Sequence, residues 1–382
     1  MNKVFTPRTE FDAIQFRHHL HQYPELSLCE RNTASLISKQ LQAFGFHPRV
    51  GLGGNGVVCT IDSGHPGEIT LLRADFDALP ITEKSELSYC SQHHGIMHAC
   101  GHDGHTASLM EVAYKLSLCP PESGKVILLF QPAEETGTGA ASMLLDRWLA
   151  AQPVDNVFAY HNLPGYPRHA VIVKPETFAC ASTGVTIELE GKTSHAARPE
   201  NGINPTTAML DIIRHLQGMP KRYATAFTLV TVVHASLGEE AFGTAPGAAK
   251  ILATLRSDKS SVLNTMKQDL CDAVSSISVD EGLTSSVRWQ ESFNTVVNAP
   301  KQCEIVSQQA QQLGLSVVEL DEPMRWSEDV AEFLNKWPGA LFCIGSGDEH
   351  PQLHNPDYDF PDTVIETASA LFLSIINHLH FE

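Results

Sequence analysis

The run Val126-Ile127-Leu128-Leu129-Phe130, bounded by Lys125 and Gln131, limits the fold more than any other feature of the chain. A strand without polar alternates is buried on both faces, so helices must cover its sheet from either side. That requirement points to a layered α/β architecture. The neighbouring patterns agree. Helical spacing runs over residues 8–21, with Phe11, Ile14 and Leu20 apolar and Pro24 closing it. A second helix is expected over 30–44, with Leu36, Ile37, Leu41 and Phe44 on one face. Strands follow at 57–61 and 69–74, then a helix over 106–118.

Near residue 180 the texture changes. Val185-Thr186-Ile187-Glu188-Leu189-Glu190 alternates with period two, as an antiparallel strand with one wet face does. Helical patterns at 204–216 and 260–279 stand among further strand patterns at 227–234, 250–255 and 285–289. Two helices and four strands make an α+β unit of domain size. Beyond Pro300 the alternation of helix and strand resumes, at 304–313, 315–319, 340–344 and 363–379. The expectation is a discontinuous catalytic domain, 1–179 and 295–382, interrupted by an inserted domain, 180–294.

Composition excludes several classes. Of 382 residues, 42% are hydrophobic and 18% charged, which supplies a core and excludes a disordered chain. The net charge of −18 makes nucleic acid and anionic membrane poor partners. No apolar run approaches the ~20 residues that span a bilayer, and residues 1–10 show no secretory pattern. Nine cysteines, none spaced as Cys-x-x-Cys, argue against a disulfide framework and for a reducing cytoplasm.

Gly51-Leu52-Gly53-Gly54-Asn55-Gly56 fits the spacing of a dinucleotide-binding loop. Such a loop must open a helix, whose N-terminus holds the pyrophosphate. Here the β-branched Val57-Val58-Cys59-Thr60-Ile61 follows, so a turn between two strands is expected instead. The chain also has no Gly-x-Ser-x-Gly elbow and no His-Glu-x-x-His helix.

The chemistry gathers in Met97-His98-Ala99-Cys100-Gly101-His102-Asp103-Gly104-His105. Soft sulfur beside imidazole suits zinc or a related divalent transition metal. The following helix is expected to aim its positive end at this loop and favour the Cys100 thiolate. Taken alone, the motif also fits a buried cysteine in a polar turn. Glu134 and Glu135 follow the buried strand, where α/β sheets place their sites. They read as a solvated loop, or as one metal ligand beside one general base. Asp75 and Asp77 end another strand beside Arg73. Asp77 suits orientation of a ligand histidine; helix caps or an Arg73 ion pair are the alternative. His161, after a strand at 156–160, and His354, in a proline-bounded loop, stand at comparable edge positions, though either alone reads equally as structural or exposed.

Across nearly the whole chain these motifs resemble the metallopeptidase family of aminoacylases, family twenty, and its amidohydrolase subfamily. The resemblance runs from His21-Gln22-Tyr23-Pro24-Glu25-Leu26-Ser27 through Leu72-Arg73-Ala74-Asp75-Phe76-Asp77-Ala78-Leu79-Pro80, the Cys100 motif and Gln131-Pro132-Ala133-Glu134-Glu135. It continues in Ser194-His195-Ala196-Ala197-Arg198-Pro199 and ends in His354-Asn355-Pro356-Asp357-Tyr358-Asp359-Phe360. It implies a zinc-exopeptidase-like α/β fold with a mixed central sheet. The insert would be a lid and dimerisation domain of four antiparallel strands and two helices. By the same resemblance Cys100, His102, Glu135, His161 and His354 hold two divalent metal ions (zinc, manganese, nickel or cobalt), with Cys100 shared. Glu134 is then the general base, and His195 stabilises the oxyanion. Ser327-Glu328-Asp329 matches a further signature.

The implied activity is hydrolysis of an N-acyl or N-aroyl amino acid, a small-molecule substrate, to a carboxylate and a free amino acid. A dipeptidase or carboxypeptidase with the same site is the alternative. A non-catalytic relative and a thiol hydrolase using Cys100 are weaker readings. Three departures stand out. Gly243 occupies the place where many relatives carry a substrate-contacting Asn. Thr136-Gly137-Thr138-Gly139 replaces a run of glycines. Asn162 follows His161 where relatives more often have Val.

Overall fold

The computed structural model describes residues 11–381. These fall into two compact units. One comprises the chain up to Glu176 with Val297–Asp321 and the stretch from Glu332 onward; the other comprises Thr177–Val296 and Glu322–Ala331. The return of Glu322–Ala331 to the second unit departs from the single inserted stretch, 180–294, expected from sequence. Backbone hydrogen bonds account for it. The Cys180 N–H donates to the Met324 and Trp326 carbonyls, and the Met324 N–H to the Phe178 carbonyl at 2.8 Å.

The first unit is built on an eight-stranded sheet. Its strands are β1 (Arg49–Leu52), β2 (Gly56–Asp62), β3 (Ile69–Asp75), β4 (Lys125–Gln131), β5 (Asn156–Pro164), β6 (Val171–Val173), β7 (Val317–Glu319) and β8 (Gly339–Gly347). The order is β1-β2-β4-β3-β5-β8-β6-β7. β3 runs parallel to β4 and β5, and β5 parallel to β8, while β1, β2 and β6 supply antiparallel pairings. The sheet is therefore mixed. Val126, Leu128 and Phe130 join a core with helices α1 (Ala13–Gln22), α2 (Arg31–Ala43), α3 (His102–Leu118), α4 (Pro300–Gln312) and α5 (Thr363–His380). Their strand alternates Ile127 and Leu129, pointing the other way, are equally buried. Each such side chain contributes about 1.5–3 kcal/mol on leaving water.

Boundaries shift where side chains override periodicity. Within the described residues the first helix starts at Ala13, because Asp12 caps it by accepting the Gln15 N–H; residues 8–10 of the expected helix lie outside them. Gly51–Gly56 is a hairpin turn between antiparallel β1 and β2. α3 starts at His102 rather than 106, so the last four of the nine residues of the Cys100 motif are helical. β5 continues through His161 instead of ending before it, since its parallel register with β8 pairs His161 with Cys343 and Asn162 with Ile344.

The second unit has a four-stranded antiparallel sheet in the order Thr228–Leu237, Ala248–Ser257, Ala181–Glu190, Thr284–Phe293. Two helices, Thr206–Arg222 and Ser260–Asp280, close its core. Ala208, Ile212, Leu216 and Met219 repeat at helical spacing along the first, as do Leu263, Met266, Leu270 and Val274 along the second. The first helix runs past its expected end at 216 and carries Pro220 in its last turn.

Candidate metal centre

Because β3, β4 and β5 are parallel, their C-terminal ends open on one edge of the sheet. Asp75 and Asp77 stand there at the end of β3, Glu134 and Glu135 after β4, and His161 within the end of β5. Three local devices bring in the rest. Gly101 takes φ +91° to start α3, and a Cβ there would meet the Asn162 amide oxygen at 2.5 Å, so no other residue fits. The Thr106 hydroxyl donates to the Asp75 carbonyl at 2.6 Å, anchoring the first turns of α3. His354, at φ +65°, donates its backbone N–H to the Ala99 carbonyl at 2.8 Å, bringing the C-terminal loop beside Cys100.

All five predicted ligands are brought together. Cys100, His102 and His161 present donor atoms within 4.8 Å of one another; so do Cys100, Glu135 and His354, and also His102, Glu134 and Glu135. Cys100 Sγ lies 3.4 Å from His161 Nε2. Glu135 Oε1 is 3.8 Å from His102 Nε2, and Oε2 is 3.8 Å from His354 Nε2. The ring orientations suit coordination. His161 Nδ1 donates to the Asn162 carbonyl at 2.7 Å, which leaves the Nε2 lone pair toward Cys100. His102 Nδ1 donates to the Asp77 carbonyl at 3.0 Å, with the Asp77 carboxylate at 3.3 Å. The other His102 nitrogen, Nε2, and Glu135 Oε1 are buried without a hydrogen-bond partner. Unpartnered buried donors of this kind, in a thiol, imidazole and carboxylate set, fit a divalent cation.

The charges agree with that fit. Burial and the nearby Glu135 carboxylate push the Cys100 thiol well up. Both effects oppose the thiolate that the helix end is expected to favour. Burial pushes Glu135 up to about 7, partly offset by His102. Burial and His105 hold His161 well below the usual imidazole range. Burial opposes the charged form of Asp77, yet hydrogen bonds from His102, Ser27 and the Glu135 N–H keep its carboxyl low. Asp75 forms the Arg73 ion pair at 2.6 Å, and its second oxygen accepts from His105 Nδ1 at 2.6 Å.

His195 lies in the second unit, exposed on the two-residue strand Ser194–His195 paired with Thr244–Ala245. Its Nδ1 accepts the Ala197 N–H at 3.0 Å, which leaves Nε2 as the protonated nitrogen. Gly137, at φ +66°, and Gly139, whose Cβ would sit 1.7 Å from the Pro132 carbonyl, are the positions in the post-glutamate loop where geometry demands glycine. Threonine at 136 and 138 is therefore compatible with this turn.

The sequence reading missed a buried polar layer behind the ligands. Arg17 Nη1 contacts Asp103 at 3.0 Å and Asp359 at 2.9 Å, and Nε contacts Asp362 at 2.5 Å. His21 bridges Asp103 and Glu83 at 2.9 and 3.3 Å. His105 links Asp75 to Asn162, whose amide donates to the Tyr358 hydroxyl. One signal was available: Arg17 falls beside Phe16 and Leu20 on the inward side of α1.

Comparison with known proteins places this geometry in a family. The family described as Peptidase family M20/M25/M40 matches residues 71–378. An N-acetyl-L-cysteine deacetylase of Bacillus subtilis is 35% identical over 370 residues, covering 96% of this chain and 88% of the relative. Thermostable carboxypeptidase 1 of Saccharolobus solfataricus is 33% identical, covering 94% and 92%. Among solved structures, a dinuclear metal binding peptidase from the M20 family of Bacillus subtilis superposes with a TM-score of 0.80 at 26% identity, covering 96% and 97%.

Proposed function

The chain belongs to peptidase family M20/M25/M40 and is an amide-hydrolysing enzyme, and from that premise we propose that it releases the amino acid from N-acyl or N-aroyl amino acids. The observation that carries the reading is the convergence of Cys100, His102, Glu135, His161 and His354 at one sheet edge, with Glu134 among them. These five residues hold two divalent ions. Sulfur and imidazole donors favour zinc, nickel or cobalt over calcium or magnesium, and the Glu135 carboxylate also admits manganese. When bound, the ions supply Lewis acidity that makes water nucleophilic near neutral pH.

The chain's own groups complete the reaction. Glu134 takes the proton of the attacking water and returns it to the departing nitrogen. Asp77 fixes the His102 ring through Nδ1. His195, from the same or a neighbouring subunit, offers a hydrogen bond from its Nε2–H to the developing oxyanion. A carboxypeptidase reading stays open on the likeness to the thermostable carboxypeptidase. Nine cysteines, none spaced as Cys-x-x-Cys, support a cytoplasmic setting. Exposed Leu229, Val233 and Phe242 support a homodimer through the inserted unit, which light scattering would test.

The deciding assay is amino-acid release from acetyl, benzoyl and indole-acetyl conjugates and from free dipeptides, with and without chelator. Chelator-sensitive release from blocked conjugates is expected; release from dipeptides alone would move the enzyme to the peptidases. Glu134→Gln should lower kcat by about 10²–10⁴-fold with metal content unchanged. A normal rate in that variant would remove Glu134 as base.

A further inference from the structure

The glycine-rich turn that fails as a nucleotide loop has a second connection. Asn55 within it donates its side-chain N–H to Glu30 Oε2 at 2.9 Å. The other oxygen of Glu30 accepts the backbone N–H of Ala133 at 2.8 Å. Glu30 stands at the N-cap of α2 but does not cap it, because its carboxylate is turned to these two donors. It is fully buried, a costly place for a carboxylate unless its hydrogen bonds are needed.

What it holds is a strained residue. Ala133 has φ +53°, a left-handed conformation that persists only where surroundings enforce it. Ala133 immediately precedes Glu134. The loop is closed from its carbonyl side by its own bonds: the Gly139 N–H donates to the Ala133 carbonyl at 3.0 Å, and the Gly137 N–H to the Glu134 carbonyl at 2.7 Å. On the amide side the acceptor is Glu30. The same turn also seats against the helix that ends this loop, Gly139–Leu144. A Cβ at Gly53 would lie 2.7 Å from Met143 N, and one at Gly56 2.6 Å from Met143 Cε.

We propose that Glu30 is a positioning residue of the active site: oriented by Asn55, its carboxylate fixes the left-handed turn at Ala133 and thereby the direction of the Glu134 side chain. This rests on the reading of Glu134 as general base. Glu30 touches no reacting atom; it acts through one amide.

Hydrogen exchange at the Ala133 amide reads the contact directly, whatever the metal content. Exchange should rise at least tenfold in Glu30→Ala and in Asn55→Ala. It should stay near wild type in Glu30→Gln, whose amide oxygen still accepts from Ala133 while the Asn55 amide turns to accept from the new NH2. In Glu30→Ala kcat should fall at least tenfold, with KM and bound metal within twofold. Glu30→Gln should restore most of the rate. In a Glu134→Gln background, Glu30→Ala should cost nothing further, because the side chain it aims is already disabled. Losses that multiply in the double variant, or unchanged exchange at Ala133, overturn the proposal. Should Glu30→Ala not accumulate folded, Asn55→Ala decides: unchanged exchange and unchanged kcat there overturn it equally. A normal rate in Glu134→Gln alone would sink the base assignment instead, while exchange at Ala133 would still report on Glu30.

Discussion

The two units bury their polar groups in opposite ways. The 177–296 stretch of the inserted unit has a core of Ile, Leu, Val, Met and Ala and no fully buried charged residue, with Glu188 accepting from both Arg288 terminal nitrogens at 3.0 Å. Only Glu328 and Asp329 of its returning segment are buried charges there. The first unit buries Arg17, His21, Glu30, Arg73, Asp75, Asp77 and Asp103 almost completely. Each is tied into ion pairs or hydrogen bonds near the candidate ligands. Removing charges from water costs more than apolar packing of the same volume, so a unit that keeps so many inside does so for its site. One unit is organised by apolar packing, the other by satisfied charge.

Substitutions should expose that contrast. The largest effect is expected from Arg17→Met, which leaves the buried Asp103 with His21 alone and takes the shared guanidinium from Asp359 and Asp362; breaking such a buried pair costs about 3–5 kcal/mol. Urea denaturation followed by tryptophan fluorescence would measure it, and an unchanged midpoint would contradict the charge-organised body. Next comes Leu270→Ala in the inserted unit, a cavity in an apolar core costing about 2–5 kcal/mol. There kcat per folded molecule should hold, and a selective loss of kcat would blur the contrast.

A smaller effect, spread over pH, follows from His21. Its imidazole is buried, which alone would lower it, but hydrogen bonds to Asp103 and Glu83 push it up to about 9. The unfolded chain titrates near ~6.5. A group raised on folding gives its full stabilisation below the unfolded value and loses it as pH climbs toward the folded one. Wild type should therefore lose stability between pH 6.5 and about 9 relative to His21→Gln; parallel curves would show that His21 is neutral in the fold. The smallest effect is expected from Arg288→Ala, an exposed pair whose removal should leave the thermal midpoint within error.

The strands and the Cys100 and Glu134-Glu135 motifs were legible because their signals are local, whereas His161 and His354 entered as candidate ligands only through the family resemblance. Val126–Phe130 needed only its own apolar side chains, and Cys100, His102 and the paired glutamates needed only spacing. Other features depend on partners distant in sequence. Nothing near Glu30 announces that its carboxylate serves Ala133, and periodicity marks Arg17 merely as polar. The start of α3 was misread because His102-Asp103-Gly104-His105 resembles a turn, whereas Gly101 in the left-handed region starts the helix there. The end of β5 was misread because its pairing with β8 is invisible from residues 156–160 alone. The segment Glu322–Ala331 joins the second unit through backbone bonds, which leave no mark on side-chain pattern.

The position of β8 between β5 and β6 governs the order in which a ribosome can finish this enzyme. The sheet stays split until Gly339–Gly347 has left the exit tunnel, with β5 and His161 on a bare edge. His354 emerges later still. Most of the inserted unit is one uninterrupted stretch of chain and is available to collapse while that gap is open. With the ligands proposed above, loading would wait for the last moments of synthesis, since a nascent chain halted before Gly339 would have Cys100 and His102 made but not the candidate ligand His354.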